Sequence, residues 1–393
     1  MTELSRIARM PFFSYGFRTF FLSGSVWALV SMLLWILWVS GTGGFLLTYG
    51  GFAWHAHELL LGYGSAVLAG FLLTAIPNWT GRAPVQGPVL AALWMLWLVG
   101  RLAMLCAEQL GYMAAAVLDS AFLVVLVPLV VRELVLGKNQ RNLRVAGLIG
   151  LLALVNIGFH IEYLNAGYPD YTLRAAVAVF VILLTMIGGR IIPAFTRNWL
   201  VKHGKTQRLP KMFGRFDVAT LTVSVAALLV WIAMPLGPVT GGLLLLAGAL
   251  QLIRLSRWGG LQTFREPLVI ILHAGYLFVG VGFLLASAAA FEIAAIIPRA
   301  AVHGWTTGAI GIMTLAVMTR ASRGHAGFPL IAPLGTQLIY LLILVATLLR
   351  VTQIMLPDLN GALQASAAVA WLGAFGLFVV CYGPMLVRTQ RGT

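Results

Sequence analysis

The sequence predicts an all-α polytopic membrane protein of about twelve transmembrane helices, with both termini in the cytoplasm. Composition is the first observation behind this prediction. Of the 393 residues, 60% are hydrophobic and only 9% are charged, against about 25% charged residues in an ordinary soluble domain. So few polar groups cannot cover a water-soluble protein of this size, and lipid must therefore cover most of its surface. Long apolar segments and an uneven distribution of basic residues are the other two observations.

Twelve apolar segments are long enough to cross a bilayer, which takes roughly 20 mostly apolar residues. We expect these spans near residues 19–40, 52–76, 88–106, 112–133, 144–164, 172–192, 217–236, 238–255, 266–289, 302–319, 331–350 and 362–387. The first segment has full spanning length and no cleavage site of small residues behind it, so we expect a retained helix rather than a signal peptide. Residues 1–393 are expected to form a single integral membrane domain.

Basic residues determine the predicted orientation. The chain has 26 Lys and Arg against 11 Asp and Glu, a formal net charge of +15. With the N-terminus in the cytoplasm, all basic residues fall on the cytoplasmic side except Arg101, Arg174, Arg299 and Arg350, as the positive-inside rule requires. The charge therefore reflects orientation, and no nucleic acid partner is expected. The longest basic loop, near residues 193–215, could also bind anionic membrane lipid.

Histidines inside the spans are the main functional candidates, because ionisable residues are costly within a membrane. His55, His57, His160 and His303 are all predicted to lie in the outer quarter of the membrane, at similar depth. Imidazole is the usual ligand for haem iron, copper and zinc. The alternative is four unrelated interfacial histidines, each bonded to a neighbouring helix. We expect the group to bind metal.

His55 and His57 should serve two different centres, since helical geometry separates their side chains by about 200°. His55 would share its face with Gly62, Ala66 and Ala69, a stripe of small residues that admits either a neighbouring helix or a flat macrocycle. A non-helical turn at His55 would instead let both rings reach one ion.

A second, inner metal site is predicted for His273, near the cytoplasmic end of its span, and His325, in a cytoplasmic loop at similar height. The alternative for His325 is an ordinary loop residue, as we expect for His203. Asn156 lies one helical turn before His160 and is expected to orient its ring.

Three charged residues accompany the histidines. Arg101 and Asp119 lie on consecutive antiparallel spans at one depth, so we expect them to form an ion pair; Arg101 could instead bind a haem propionate. Glu58 directly follows His57 and is a candidate proton relay, an acceptor for a histidine N–H, or an interfacial acid. No other catalytic residue is indicated.

Several sequence blocks resemble the NnrS family. They are Phe17-Arg18-x-Phe20-Phe21-Leu22, Trp54-His55-Ala56-His57-Glu58, Ile76-Pro77-Asn78-Trp79-Thr80-Gly81-Arg82, Gly189-Arg190-Ile191-Ile192-Pro193 with Phe195-Thr196-Arg197-Asn198, and Gly308-Ala309-Ile310-Gly311-x-Met313-Thr314-Leu315-Ala316-Val317-Met318-Thr319-Arg320 followed by Gly324-His325. Where the family has a proline before the first block, this chain has Tyr15-Gly16. The resemblance implies a bacterial inner-membrane protein that carries copper and haem of unspecified type and resists nitric oxide during denitrification or nitrosative stress.

Two functions remain open at this stage. The first is a haem and copper protein that binds or reduces nitric oxide, with a quinol or a cytochrome as a candidate electron donor and His55 as the haem ligand. His57 would then hold copper or a second haem. The second is a proton-coupled secondary transporter without haem, because twelve spans with both ends inside is a common carrier layout. Such a carrier would use Glu58, Asp119 and His273 as proton or ion sites.

Overall fold

The computed structural model describes residues 7, 10–42, 49–293, 301–353, 356 and 359–388. Within these ranges the chain is built of helices, without strands, so the predicted all-α membrane fold is confirmed. Eleven of the described helices are long and apolar enough to cross a membrane. The predicted orientation depends partly on Arg299 and on both chain ends, which lie outside the described residues, and it stays a prediction.

The helices correspond in order to the twelve predicted spans. They are α1 (Gly16–Val39), α2 (Gly51–Thr80), α3 (Gly87–Leu105), α4 (Tyr112–Leu136), α5 (Leu143–Ala166), α6 (Asp170–Lys202), α7 (Arg215–Ala233), α8 (Pro238–Ser256), α9 (Pro267–Ala290), α10 (Gly304–Gly311 and Ile312–His325), α11 (Leu334–Thr352) and α12 (Asn360–Val387). The tenth span differs from the others because a π-helix of 8 residues precedes an α-helix of 14 residues. Neither part alone would cross a bilayer.

Helix α2 also contains a π-helix. It runs as an α-helix over Gly51–His57, as a π-helix over Glu58–Gly64, and again as an α-helix over Ser65–Thr80. A π-helix bonds each N–H to the carbonyl five residues earlier, which disturbs the regular ladder, and such segments are frequent at functional sites. Here Trp97 Nε1 of α3 donates a hydrogen bond to the Gly62 carbonyl at 2.9 Å. The widened turn is therefore tied to the next helix of the chain.

The chain divides into two compact units. The first comprises residues 1–176, 321–328 and 375–393, and the second comprises 177–320 and 329–374. In the first unit α1 packs on α2, α3 on α4, and α4 on α5. Small residues permit this close packing, as is usual between membrane helices: a Cβ on Gly70 of α2 would lie 2.8 Å from the ring of Phe21 on α1. The single domain predicted for the whole chain stays a prediction.

Candidate metal centre

A buried cluster of polar side chains lies in the first unit, between α2, α3, α4 and α5. This polar cluster consists of His57, Glu58, Arg101, Asp119, Asn156 and His160, none more than 2% exposed. Charged groups inside a membrane protein are stable only when other charges and hydrogen bonds compensate their lost hydration. The cluster meets this requirement through contacts that all run within the unit.

Three members converge like ligands around an ion. His160 Nε2 lies 2.9 Å from Asp119 Oδ2, His57 Nε2 lies 3.2 Å from the same oxygen, and one ligand atom from each residue lies within 4.8 Å of the other two. A metal ion with bonds of about 2 Å in tetrahedral geometry separates its ligand atoms by about 3.3 Å. The three side chains, which we call the metal site, therefore need little movement to hold a small transition-metal ion.

The far side of each imidazole is also held in place. His57 Nδ1 donates to Glu58 Oε1 at 2.8 Å, and His160 Nδ1 lies 3.1 Å from the Tyr49 hydroxyl. Burial, reinforced by the negative charge of Asp119, raises the pKa of Tyr49, so its phenol stays protonated. Metal-binding histidines commonly have their second nitrogen bonded in this way, which fixes the orientation of the ring.

Arg101 joins the two carboxylates of the cluster. Its NH1 donates to Glu58 Oε2 at 2.5 Å, and its NH2 donates to Asp119 Oδ1. The predicted ion pair between Arg101 and Asp119 is thereby confirmed, and the alternative role, binding a haem propionate, stays a prediction. Trp27 Nε1 of α1 also donates to Glu58 Oε2, at 2.7 Å. Gly62 makes room for the guanidinium, because a Cβ there would overlap Arg101 NH1.

With both histidines neutral, the cluster has one more negative charge than positive charge. Glu58 and Asp119 carry two negative charges, whereas Arg101 supplies one positive charge. His57 presents both ring nitrogens to acceptors, since its Nε2 donates to Asn156 Oδ1 at 2.9 Å while its Nδ1 bonds Glu58. A protonated His57 ring neutralises the cluster, and a monovalent metal ion in place of its Nε2 proton would do the same.

Asn156 differs from its predicted role. We expected it to orient His160, one turn away, but its amide bonds His57 and donates to Asp119 Oδ2 at 2.8 Å. The reason is that the face of α5 that carries Asn156 lies opposite α2 and α4, so the amide bonds residues of those two helices. His160 is oriented instead by Tyr49.

His55 lies apart from His57, as helical spacing predicts. Residues 51–57 are α-helical, and the His55 ring stacks on Trp35 of α1 with centroids 4.3 Å apart. The stripe of small residues on α2 serves helix packing at Gly62, which contacts Arg101, and at Ala66, whose Cβ faces Gly24 of α1. The structure therefore uses this stripe for neighbouring helices, one of its two expected uses.

The remaining histidines lie outside the polar cluster. His325, in the first unit, is exposed, and its ring lies 5.7 Å from that of Phe17. His273 and His303 belong to the second unit: His273 Nε2 lies within hydrogen-bond distance of Thr196 Oγ1, at 2.8 Å, and His303 is half-buried directly before the π-helix of α10. The predicted inner site of His273 and His325 stays a prediction, and so does the common depth of the four outer histidines.

Sequence reasoning missed two features of the buried polar groups. Tyr49 lies before α2 in the chain, and no spacing rule connects it with His160. In the second unit, Arg254 Nε donates to Asp217 Oδ1 at 2.7 Å, and Arg254 NH1 donates to the Tyr276 hydroxyl at 2.8 Å. A signal for that ion pair existed, because Asp217 and Arg254 lie near the same end of consecutive antiparallel spans, as Arg101 and Asp119 do.

Comparison with known proteins agrees with the motif-based resemblance. A search of curated proteins found no match. The family model described as NnrS protein matches residues 11–390, nearly the whole chain, including every residue of the polar cluster. The chain belongs to the NnrS family.

Proposed function

We propose that this protein binds copper and haem in the bacterial inner membrane and acts in the binding, reduction or tolerance of nitric oxide. Membership of the NnrS family supports a membrane protein of the nitric oxide response. The observation that carries the metal part of the proposal is the convergence of His57, Asp119 and His160 in a buried cluster.

Copper is the metal that we assign to this site. Two imidazole nitrogens and one carboxylate oxygen form a donor set that suits copper or zinc, and binding would displace the Nε2 protons of both rings. Asp119 Oδ2 lies within 3.2 Å of His57 Nε2 and within 2.9 Å of His160 Nε2, which leaves no space for a porphyrin between the rings. Haem would therefore bind elsewhere. His55 stays our proposed iron ligand on the family resemblance, because helix packing fills the stripe of small residues that was expected to make room for a porphyrin.

The surrounding residues would position the ligands. Glu58 fixes His57 through Nδ1, Arg101 holds the carboxylates of Glu58 and Asp119 in place, and Tyr49 fixes His160. A low-valent copper or haem iron would supply the affinity for nitric oxide, a small apolar gas that the bilayer concentrates. Reduction of the gas would in addition require electrons from a donor such as a quinol or a cytochrome, with Glu58 as the candidate proton relay.

The test is metal analysis and absorption spectroscopy of the purified protein and four variants. His57→Gln and His160→Gln should lose copper and keep haem absorbance, whereas His55→Gln should lose haem absorbance. His203→Gln is the matched control, because His203 is exposed and stacks on Trp199 outside the cluster. Size-exclusion chromatography of each variant would separate loss of metal from loss of folding.

Two results would overturn the proposal in different ways. A colourless wild-type protein without copper or iron would favour the proton-coupled transporter, which predicts no haem. Full copper content in folded His57→Gln and His160→Gln would exclude the metal site while leaving the family-based role intact.

A further inference from the structure

Two loops of the second unit form one continuous surface. Residues 203–214 connect α6 to α7, and residues 257–266 connect α8 to α9. The Lys211 N–H donates to the Arg257 carbonyl at 3.2 Å, and Gln262 Nε2 donates to the Arg208 carbonyl at 3.1 Å. These two hydrogen bonds join loops that are far apart in sequence into one basic surface, which we define as residues 202–215 and 257–265.

Unpaired positive charge is the first property of the basic surface. Its exposed cations are Lys202, Lys205, Arg208, Lys211, Arg215 and Arg265. None of these six forms an ion pair with any described residue. The two acids nearest in the sequence have other partners. Asp217 forms an ion pair with Arg254 at 2.7 Å, and Glu266 accepts a hydrogen bond from the Leu268 N–H at 3.3 Å.

Exposed apolar side chains are the second property. Leu261 is 89% exposed and Phe264 is 77% exposed, the two highest values among the large hydrophobic residues that the structure describes. Both belong to the short turn around the 3-10 helix Gly260–Thr263, which begins after Gly259 with φ +67°. Thr263 and the neighbouring Trp258 point inward and are buried, so the turn directs Leu261 and Phe264 outward. Met212 and Phe213 of the other loop are also about half exposed, at 58% and 48%.

The positive-inside rule accounts for the charge of these loops but not for their exposed Leu and Phe side chains. Apolar side chains interspersed with cations, at the ends of membrane helices, match the boundary between acyl chains and headgroups. Cations near such a boundary bind anionic lipid more strongly than neutral lipid. Water would be an unfavourable environment for Leu261 and Phe264 in the same positions.

We propose that the basic surface is a binding site for anionic phospholipid headgroups. Its cations pair with the lipid phosphates, while Leu261 and Phe264 insert among the acyl chains beside them. This site is independent of the metal site, since its residues belong to the second unit.

The experiment is a lipid titration of the detergent-purified full chain, followed by native mass spectrometry, with phosphatidylglycerol and phosphatidylcholine in parallel. The test variant combines Arg208→Gln, Lys211→Gln and Arg265→Gln. The matched control combines Lys138→Gln, Arg141→Gln and Arg144→Gln, which removes three exposed cations at the junction of α4 and α5.

Wild type should bind phosphatidylglycerol more tightly than phosphatidylcholine. Removing a basic residue should weaken phosphatidylglycerol binding roughly fivefold, so the test variant should lose on the order of 100-fold, while the control variant should stay close to wild type. A Leu261→Ser, Phe264→Ser variant should also bind phosphatidylglycerol more weakly although its charge is unchanged.

Equal binding of the two lipids by wild type would overturn the proposal. Equal losses in the test and control variants would overturn it too, because they would show a general charge effect without a defined site. If the test variant binds phosphatidylglycerol like wild type, the basic surface is not the lipid-binding site. An acidic protein would then be the expected partner of this surface.

Discussion

Alanine in place of Gly62 should push the Arg101 guanidinium out of the polar cluster. A Cβ at this position would overlap Arg101 NH1 and would lie 2.8 Å from Glu58 Oε2 and 3.1 Å from Trp27 Nε1. Glu58 and Trp27 are buried and bonded to each other at 2.7 Å, so neither can move aside easily. The guanidinium must therefore shift and loosen its contacts with Glu58 and Asp119.

The expected cost follows from two effects. Overpacking a buried site costs about 1–3 kcal/mol, and breaking a buried ion pair costs about 3–5 kcal/mol when one charge loses its partner. Since alanine favours helix over glycine by about 1 kcal/mol, the net expectation is that Gly62→Ala destabilises the protein by about 3–7 kcal/mol. Gly147→Ala on α5 is the matched control, because its Cβ would meet no atom within 4 Å, and it should be neutral or slightly stabilising.

Both variants can be compared by unfolding in mixed micelles with increasing sodium dodecyl sulfate, followed by tryptophan fluorescence. Copper content after purification gives a second measurement, because displacement of Arg101 should also disturb Asp119 and reduce copper binding. Gly62→Ala with the stability and copper content of Gly147→Ala would refute the argument that the guanidinium fills the space beside Gly62.

Two further predictions concern single contacts. Tyr49→Phe removes the hydroxyl that bonds His160 Nδ1 and should weaken copper affinity about 10–100-fold, measured by titration against a competing chelator, with haem absorbance unchanged. Gly189→Ala should destabilise the protein by about 1–3 kcal/mol in the same unfolding assay, because its Cβ would overlap the buried Arg254 guanidinium.

Each of these changes has a control of the same chemistry. Tyr171→Phe removes a hydroxyl from an exposed tyrosine, and copper affinity equal in the two tyrosine variants would contradict the role of Tyr49. Gly242→Ala adds a methyl group on α8 where nothing lies within 4 Å. Equal stability of the two glycine variants would show that Arg254 has more freedom than its contacts indicate.

The number and order of the helices could be predicted because apolar length is a strong signal in a membrane protein. Their ends were less predictable. The sixth span was expected over 172–192, whereas α6 runs to Lys202, since hydropathy marks where a helix leaves the apolar layer rather than where its hydrogen bonds stop. Pro193 lies inside that helix, so the basic loop that was predicted to begin near it begins only after Lys202.

Members of the polar cluster could be identified from the sequence, but the neighbouring helices that bring them together could not. His57, His160 and the pair of Arg101 with Asp119 were found because charges within a membrane must meet partners at their own level. Asp119 was not expected as a ligand between the histidines, because a sequence does not show which helices become neighbours. Tyr49 was missed for the same reason.

The π-helix within α2 has a consequence for how the metal site could change over evolution. One residue more or less in an α-helix turns everything beyond it by about 100°. The segment Glu58–Gly64 absorbs such a turn between Gly51–His57, which carries the histidines, and Ser65–Thr80, which packs on α1. Substitutions within Glu58–Gly64 could therefore rotate the histidines of Gly51–His57 about the helix axis. The packing of Ser65–Thr80 on α1 would stay unchanged.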